Sequence, residues 1–193
     1  MNPSHTPQPT AWPGGGRAIV LISGIQAAGK STIAQALAER LPRSVHVRGD
    51  VFRRMVVGGR AEMTADPSDE AIHQLHLRYR LAASVSDAYF EAGFTVITQD
   101  VILGEHLTEM AAWIRSRPLL VVMLAPRADI IAAREAARDK TAYGQWAINQ
   151  LDDILRQHTP RIGLWLDTSG QTPAETVDEI LARGWNEARI PPR

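Results

Sequence analysis

Short runs of aliphatic and β-branched residues alternate along the chain with longer segments whose apolar residues recur at helical spacing. Between residues 68 and 91, apolar or small residues return every three or four positions, which predicts one amphipathic helix. A last helix is predicted after Thr172, because Pro173 suits a first turn and Glu175 can complete a capping box. The predicted strands are residues 18–23, 45–48, 94–98, 119–124 and 163–167.

This alternation of strands and helices is typical of a parallel sheet wrapped by helices. Five such strands predict a doubly wound α/β fold, whose ligands bind at the carboxyl ends of the strands. Residues 1–16 contain four prolines and a run of three glycines. We interpret them as a flexible tail outside the core and residues 17–193 as one domain.

Composition narrows the function classes. The chain has 21 Lys and Arg residues against 21 Asp and Glu residues, so its formal net charge is zero. A neutral chain has no general attraction to nucleic acid or to an anionic membrane, and neither partner is expected. The absence of cysteine excludes disulfides, thiolate metal sites and cysteine nucleophiles. The first residues do not resemble a signal peptide and no apolar run suggests a membrane span, so we expect a cytoplasmic protein. The sequence gives no indication of the oligomeric state.

The most specific motif lies directly after the first predicted strand and matches G-x-x-x-x-G-K-[ST] in full. Such a loop directs successive backbone N–H groups at phosphate oxygens, at the N-terminus of the following helix. Its lysine reaches the β- and γ-phosphates of a nucleotide and its serine hydroxyl binds Mg²⁺. We therefore predict ATP and Mg²⁺ as ligands, with Thr32 adding a hydroxyl near the α-phosphate. The loop comprises Gly24, Ile25, Gln26, Ala27, Ala28, Gly29, Lys30 and Ser31.

The second predicted strand is followed by Asp50, Arg53 and Arg54. A carboxylate at this strand end is expected to lie near the γ-phosphate, where it can accept the proton of an attacking hydroxyl. One helical turn later, Arg53 can bind an anionic or carbonyl group of the phosphate acceptor, and Arg54 is a second candidate. The structural alternative is that Asp50 only caps the next helix.

The third predicted strand is followed by Gln99 and Asp100. Carboxylates at this position of P-loop enzymes commonly hold the Mg²⁺ shell, so Asp100 is the candidate metal residue, acting through water. Gln99 is expected to face the acceptor pocket. A loop-capping role for Asp100 is the alternative.

An arginine-rich segment follows the fourth predicted strand. Arg134 and Arg138 are four residues apart and share a helix face, so a short lid carrying both can neutralise charge on a transferred phosphoryl group. Gly144 is a candidate hinge for this lid. The alternative is a solvated helix in which Glu135 pairs with Arg138.

Two weaker signals remain. His73 and His76 lie three residues apart, but no carboxylate motif accompanies them, and we do not expect a metal site there. Residues 167–170 follow the fifth predicted strand, where the edge of an adenine ring can contact the backbone.

The phosphate loop, Asp50, the QDVILG of residues 99–104 and the REAARDK of residues 134–140 together resemble the chloramphenicol phosphotransferase-like P-loop kinases. That group is similar in fold to the shikimate and gluconate kinases. The resemblance implies a three-layer P-loop fold with strand order 2-3-1-4-5 and ATP-dependent phosphorylation of a small-molecule hydroxyl. In this interpretation Asp50 is the base, while Lys30, Arg134 and Arg138 stabilise the transferring phosphoryl group.

The leading hypothesis is therefore a small-molecule kinase, with an antibiotic among the candidate acceptors. The spacing of Asp50 and Arg53 also resembles the active-site pattern of polynucleotide 5′-hydroxyl kinases, which keeps such an activity open. A third hypothesis is a regulator that binds ATP without transferring phosphate.

Overall fold

A computed structural model of the chain describes residues 12, 16–64, 66–137 and 145–191, the side chains of residues 145–147 excepted. The sheet has the parallel strand order β2-β3-β1-β4-β5, which confirms the predicted topology. The predicted strand ends agree with the observed ones to within one residue. A short antiparallel strand, β6, pairs with β4 and was not expected from the sequence pattern. The strands are β1 Ile19–Ser23, β2 Ser44–Arg48, β3 Thr95–Gln99, β4 Leu119–Leu124, β5 Leu164–Leu166 and β6 Arg189–Ile190.

Helices cover both faces of this sheet. They are α1 Lys30–Arg40, α2 Gly49–Met55, α3 Asp69–Glu91, α4 His106–Trp113, α5 Ala128–Ala136, α6 Gln145–Asp153 and α7 Pro173–Glu187, with a π-helical turn at Ile154–His158. The Ser68 side chain caps α3 by accepting a hydrogen bond from the Ala71 backbone N–H. The predicted capping box of α7 is present between Thr172 and Glu175. In the described part of the chain, no helix has the length and apolarity needed to cross a membrane.

The central strand β1 shows why its sequence is apolar without interruption. Ile19 and Leu21 belong to the hydrophobic core on one face of the sheet, which includes residues of α3 and α4. Val20 and Ile22 belong to the core on the other face, with residues of α1 and α7. Successive side chains of a strand point to opposite faces, so a central strand covered on both sides must be apolar at every position.

Trp12 belongs to the second of these cores, contrary to the expectation for the first 16 residues. Its side chain is only 2% exposed and its ring lies 6.0 Å from that of Trp185. The ring also packs close to Gly184, which has no side chain. Burial of this indole therefore fixes part of the segment to the domain. Apart from Trp12 and Gly16, residues 1–16 lie outside the described residues, and the division at residue 16 stays a prediction.

Candidate active site

The phosphate loop lies between β1 and α1, as predicted. Gly24 has a φ of 149° and a Cβ on it would lie 2.5 Å from the Leu124 backbone oxygen of β4, so this position requires glycine. Ala27 and Gly29 also have positive φ values, of 59° and 94°. These left-handed residues curl the backbone ahead of α1, whose first N–H groups have no intrahelical partner. The geometry suits an anion.

Lys30 begins α1 and folds back over this loop. Its Nζ donates a hydrogen bond of 2.8 Å to the Ile25 backbone oxygen, and the residue is 9% exposed. The ammonium group therefore lies within the concave side of the loop, where a phosphate group would bind. Ser31 and Thr32, the next two residues, are exposed.

A cavity of about 270 Å³ adjoins the loop. Two of the residues that line it are hydrogen-bonded to each other: the Nη2 of Arg134 donates to the Thr168 backbone oxygen at 3.0 Å. The residues that line it are Ala27, Ala28, Gly29, Thr32, Ile33, Arg134, Thr168, Gln171, Pro173 and Thr176. The planar guanidinium of Arg134 at this cavity is a group that can stack on an aromatic base.

Arg134 thus lies on α5, a helix anchored by the fully buried Ile131, and contacts the loop after β5. Its predicted role on the transferring phosphoryl group stays a prediction. Arg138 and Gly144, the other parts of the predicted lid, lie outside the described residues.

Asp100 is buried at the carboxyl end of β3 and forms an ion pair with Arg78 of α3. The Arg78 Nε donates to Oδ2 at 2.5 Å and Nη2 donates to Oδ1, while the Val101 backbone N–H donates to Oδ1 at 2.7 Å. A Cβ on Gly49 would lie 1.9 Å from Oδ2, so α2 can begin against this carboxylate only with glycine. Both oxygens of Asp100 already accept hydrogen bonds, so this carboxylate is poorly suited to bind a metal ion directly. A contact with the ion through a water molecule is compatible with these bonds.

Asp50 follows Gly49 in the first turn of α2. Its Oδ2 accepts a hydrogen bond of 2.7 Å from Arg54, and the Arg48 Nε lies 3.6 Å from Oδ1. Oδ1 is shielded from solvent and accepts no hydrogen bond from any residue that the structure describes. One oxygen of this carboxylate is therefore held by a hydrogen bond from Arg54, while the other lies in an ion pair with Arg48. The cap residue of α2 is Arg48, so Asp50 is not its N-cap.

The segment after α2 carries a second group of ion pairs. Glu62 accepts from Arg53 and lies 3.0 Å from the Arg60 Nε. Gln74 of α3 fixes this segment, because its amide donates to the Gly59 backbone oxygen at 2.8 Å and accepts from the Ala61 N–H at 3.0 Å. An open cavity of about 630 Å³ is lined by Arg54, Val56, Val57, Gly59, Arg60 and Glu62.

Gln99 lies against the phosphate loop. Its side-chain amide donates a hydrogen bond of 3.2 Å to the Ser31 hydroxyl, and the residue is 4% exposed. The expected contact with an acceptor stays a prediction. The observed contact orients the hydroxyl that the motif offers to Mg²⁺.

Sequence reasoning missed Arg78, Glu62 and Gln74. Each contacts a residue that is 9 to 22 positions away in sequence. Arg78 lies in the middle of a helical pattern full of charged residues, so no local signal distinguished it from its exposed neighbour Arg80.

The donor set can hold a nucleotide with its metal ion. The curled loop, the Lys30 ammonium group and the Ser31 hydroxyl are the groups that bind a nucleotide's phosphates and Mg²⁺ in a P-loop. The exposed Ser31 supports this fit, with Gln99 as the group that orients it.

A parallel sheet of order 2-3-1-4-5 with this loop after its central strand, and with carboxylates after β2 and β3, defines a P-loop fold. The chain belongs to the AAA domain family, whose model matches residues 19–162. Curated proteins gave no match to the chain.

Solved structures share the fold at low identity. A sugar kinase from Janibacter sp. HTCC2649 is 20% identical, with a TM-score of 0.64 over 89% of this chain and 95% of the other. The tunicamycin resistance protein of Deinococcus radiodurans is 18% identical, with a TM-score of 0.67 over 92% and 100% of the two chains. The APS kinase CysC of Mycobacterium tuberculosis, solved with AMPPNP and APS, is 17% identical, with a TM-score of 0.63 over 86% and 96%. Membership of the chloramphenicol phosphotransferase-like group stays a prediction.

Proposed function

We propose that this protein is an ATP-dependent kinase that phosphorylates a hydroxyl group of a small molecule. The observation that carries the proposal is the partly exposed Asp50 carboxylate after β2, at the same edge of the parallel sheet as the phosphate loop. Transfer to a hydroxyl acceptor needs a carboxylate that can take up the hydroxyl proton, and a nucleotide switch does not.

In the proposed reaction, Asp50 accepts the proton of the acceptor hydroxyl. The hydroxyl oxygen forms the new bond to the γ-phosphorus of ATP. The bond from that phosphorus to the β–γ bridging oxygen breaks, and ADP leaves. Lys30 stabilises negative charge on the phosphates through its position inside the loop. Mg²⁺, when bound at Ser31, would supply further charge neutralisation. Such catalysis rests on positioning and electrostatics.

The nucleotide base is proposed to occupy the 270 Å³ cavity beside Arg134. This proposal revises the expected role of Arg134, because its guanidinium is bonded to the loop after β5. The APS kinase that shares this fold was solved with AMPPNP, an analogue of ATP. This complex supports ATP as the phosphate donor.

The acceptor is proposed to bind between α2 and α3. Four arginines, at positions 48, 53, 54 and 60, share the two carboxylates of Asp50 and Glu62 in their ion pairs. This excess of positive charge favours a small acceptor that carries a carboxylate or another anionic group over a neutral one. An antibiotic remains within the proposal only as one of the hydroxyl compounds to be tested.

The test is ADP release with Mg²⁺ and ATP against a panel of hydroxyl compounds. The panel contains gluconate, shikimate, chloramphenicol, nucleosides and a 5′-hydroxyl oligonucleotide. The Asp50→Asn variant should lose the stimulation by about 10²–10⁴-fold while it still binds ATP. Asp178→Asn is the matched control, because this exposed aspartate pairs with Arg40 on another face and should leave the rate unchanged.

Equal stimulation of wild type and Asp50→Asn would overturn the role of Asp50. Tight ATP binding with no stimulation by any acceptor would overturn the kinase proposal in favour of a nucleotide-binding regulator. Stimulation by the oligonucleotide alone would replace the small-molecule acceptor with a nucleic-acid end.

A further inference from the structure

Two histidines and a glutamate meet between α3 and α4. One nitrogen of His76, one of His106 and a carboxylate oxygen of Glu109 all lie within 4.8 Å of one another. The Nδ1 of His106 is 3.0 Å from the Glu109 Oε2, and the Nε2 of His76 is 3.9 Å from the same oxygen. We propose that these three side chains form a binding site for a divalent transition-metal ion, with Zn²⁺ as the best match.

The strongest support for a ligand is a shielded nitrogen that has no hydrogen bond. The Nε2 of His76 is shielded from solvent, and it forms no hydrogen bond within the described part of the chain. A shielded polar atom without a partner loses its interaction with water and gains nothing in return. A metal ion between this nitrogen and Glu109 supplies the missing partner.

The arrangement of the three groups follows from the two helices. His106 and Glu109 are three residues apart at the start of α4 and therefore share one face of it, while His76 comes from α3. Zinc ligands lie about 2.0–2.2 Å from the ion in a tetrahedral site, which places neighbouring ligand atoms roughly 3.3–3.5 Å apart. The two separations that involve the Glu109 Oε2, 3.0 Å and 3.9 Å, lie on either side of this value, and all three ligand atoms lie within 4.8 Å of one another.

The donor chemistry selects the metal. Two imidazoles and one carboxylate suit zinc and its neighbours in the first transition series, whereas Mg²⁺ and Ca²⁺ prefer oxygen ligands alone. Aromatic contacts restrain both rings. The His76 ring lies 5.0 Å from that of His106 and 6.0 Å from that of Trp113.

The bound ion ties α3 to α4 near the end of β3. His76 lies two residues before Arg78, the partner of Asp100, and three before Tyr79. The Tyr79 hydroxyl donates a hydrogen bond of 2.6 Å to the Val101 backbone oxygen, in the loop after Asp100. The ion therefore braces the part of α3 that holds this loop. Metal binding by these three side chains does not depend on the proposed kinase activity.

The experiment is a titration of the tag-free protein with Co²⁺ in the absence of nucleotide, followed by displacement with Zn²⁺. Two histidines and a carboxylate should give the visible absorption of tetrahedral Co²⁺, with one ion per chain, and Zn²⁺ should abolish it and raise Tm. Glu109→Gln and His76→Ala should weaken binding by more than the roughly 10–100-fold that loss of an outer-shell partner costs.

His73→Ala is the matched control, because His73 is an exposed histidine one turn earlier on α3. It should bind Co²⁺ and Zn²⁺ as the wild type does. Glu109→Gln preserves the shape of the side chain, so it decides the question even where His76→Ala does not fold. Absence of binding to the wild type, or equal binding by the wild type and Glu109→Gln, would overturn the proposal.

Discussion

The guanidinium of Arg78 and the carboxylate of Asp100 form a two-point ion pair that joins the middle of α3 to the carboxyl end of β3. The two side chains are only 15% and 6% exposed. A buried carboxylate that loses its cation is still removed from water, but it no longer has the attraction of the opposite charge that offset this desolvation. This pair therefore fixes α3 against the strand end that adjoins Gly49 and Asp50.

We expect Arg78→Met to lower the free energy of unfolding by about 3–5 kcal/mol, since it leaves the Asp100 charge unpaired. Urea denaturation measures the change. Arg80→Met, at an exposed position two residues later, should change stability by no more than about 0.5 kcal/mol. In a double-mutant cycle, Asp100→Ala should lower the free energy of unfolding less in the Arg78→Met background than in the wild type. Additive effects would contradict a direct pair.

Gly49→Ala should destabilise the protein by about 1–3 kcal/mol, because the added methyl group overlaps the Asp100 carboxylate. Gly58→Ala is the matched control, because a Cβ there meets nothing within 4 Å and its φ is not in the left-handed range. Chemical denaturation of the two variants makes the comparison. Similar stability of both would show that α2 does not begin against Asp100 in solution.

Arg134→Met tests the proposed base site and rests on the proposed kinase function. Loss of the guanidinium should raise KM for ATP about tenfold, equivalent to about 1.4 kcal/mol, with a smaller effect on kcat. Steady-state kinetics with varied ATP provide the measurement. Arg127→Met serves as control, because Arg127 pairs with Asp129 in an exposed position before the same helix. A large fall in kcat at unchanged KM would instead favour the originally expected role on the phosphoryl group.

Removal of Trp12 should lower the free energy of unfolding by about 3–5 kcal/mol, the usual range for loss of a buried tryptophan side chain. A chain that begins at residue 12 should keep the stability of the full chain if residues 1–11 contribute no packing. A chain that begins at residue 13 should lose the contact with Trp185. Thermal denaturation of the two truncated chains separates these outcomes. Equal Tm values would contradict the burial of Trp12.

Burial lowers the pKa of His46 from its ordinary value of 6.5, and the neighbouring Arg48 adds to this effect. The folded protein therefore binds this proton less readily than the unfolded chain. The unfolded chain takes up the proton as the pH falls below 6.5, so the free energy of unfolding decreases from there down through the folded-state pKa.

His46→Gln should remove this part of the acid sensitivity. Urea denaturation at about pH 8 and about pH 5 should show a smaller stability loss for His46→Gln than for the wild type. His158→Gln, a variant of an exposed histidine, should retain the loss seen in the wild type. Identical pH dependence of wild type and His46→Gln would exclude His46 as a source.

The sequence alone determined the fold class, because its signals are local. The apolar strand, the glycine-rich loop and the helix that follows lie within 22 consecutive residues, from Ile19 to Arg40. The strand order followed from the resemblance to a known family. Neither route predicted β6, since two residues at a sheet edge carry no periodicity.

The tertiary structure decided which polar residues meet. Arg78 and Asp100 are 22 positions apart, and His76 and His106 are 30 apart, so no spacing in the sequence connects them. The pairing of Gln99 with Ser31 likewise depends on the register of β1 and β3. Periodicity and motifs report what neighbouring residues do along one element. The packing of separate helices and strands decides which charges are buried together, and with them the composition of the site.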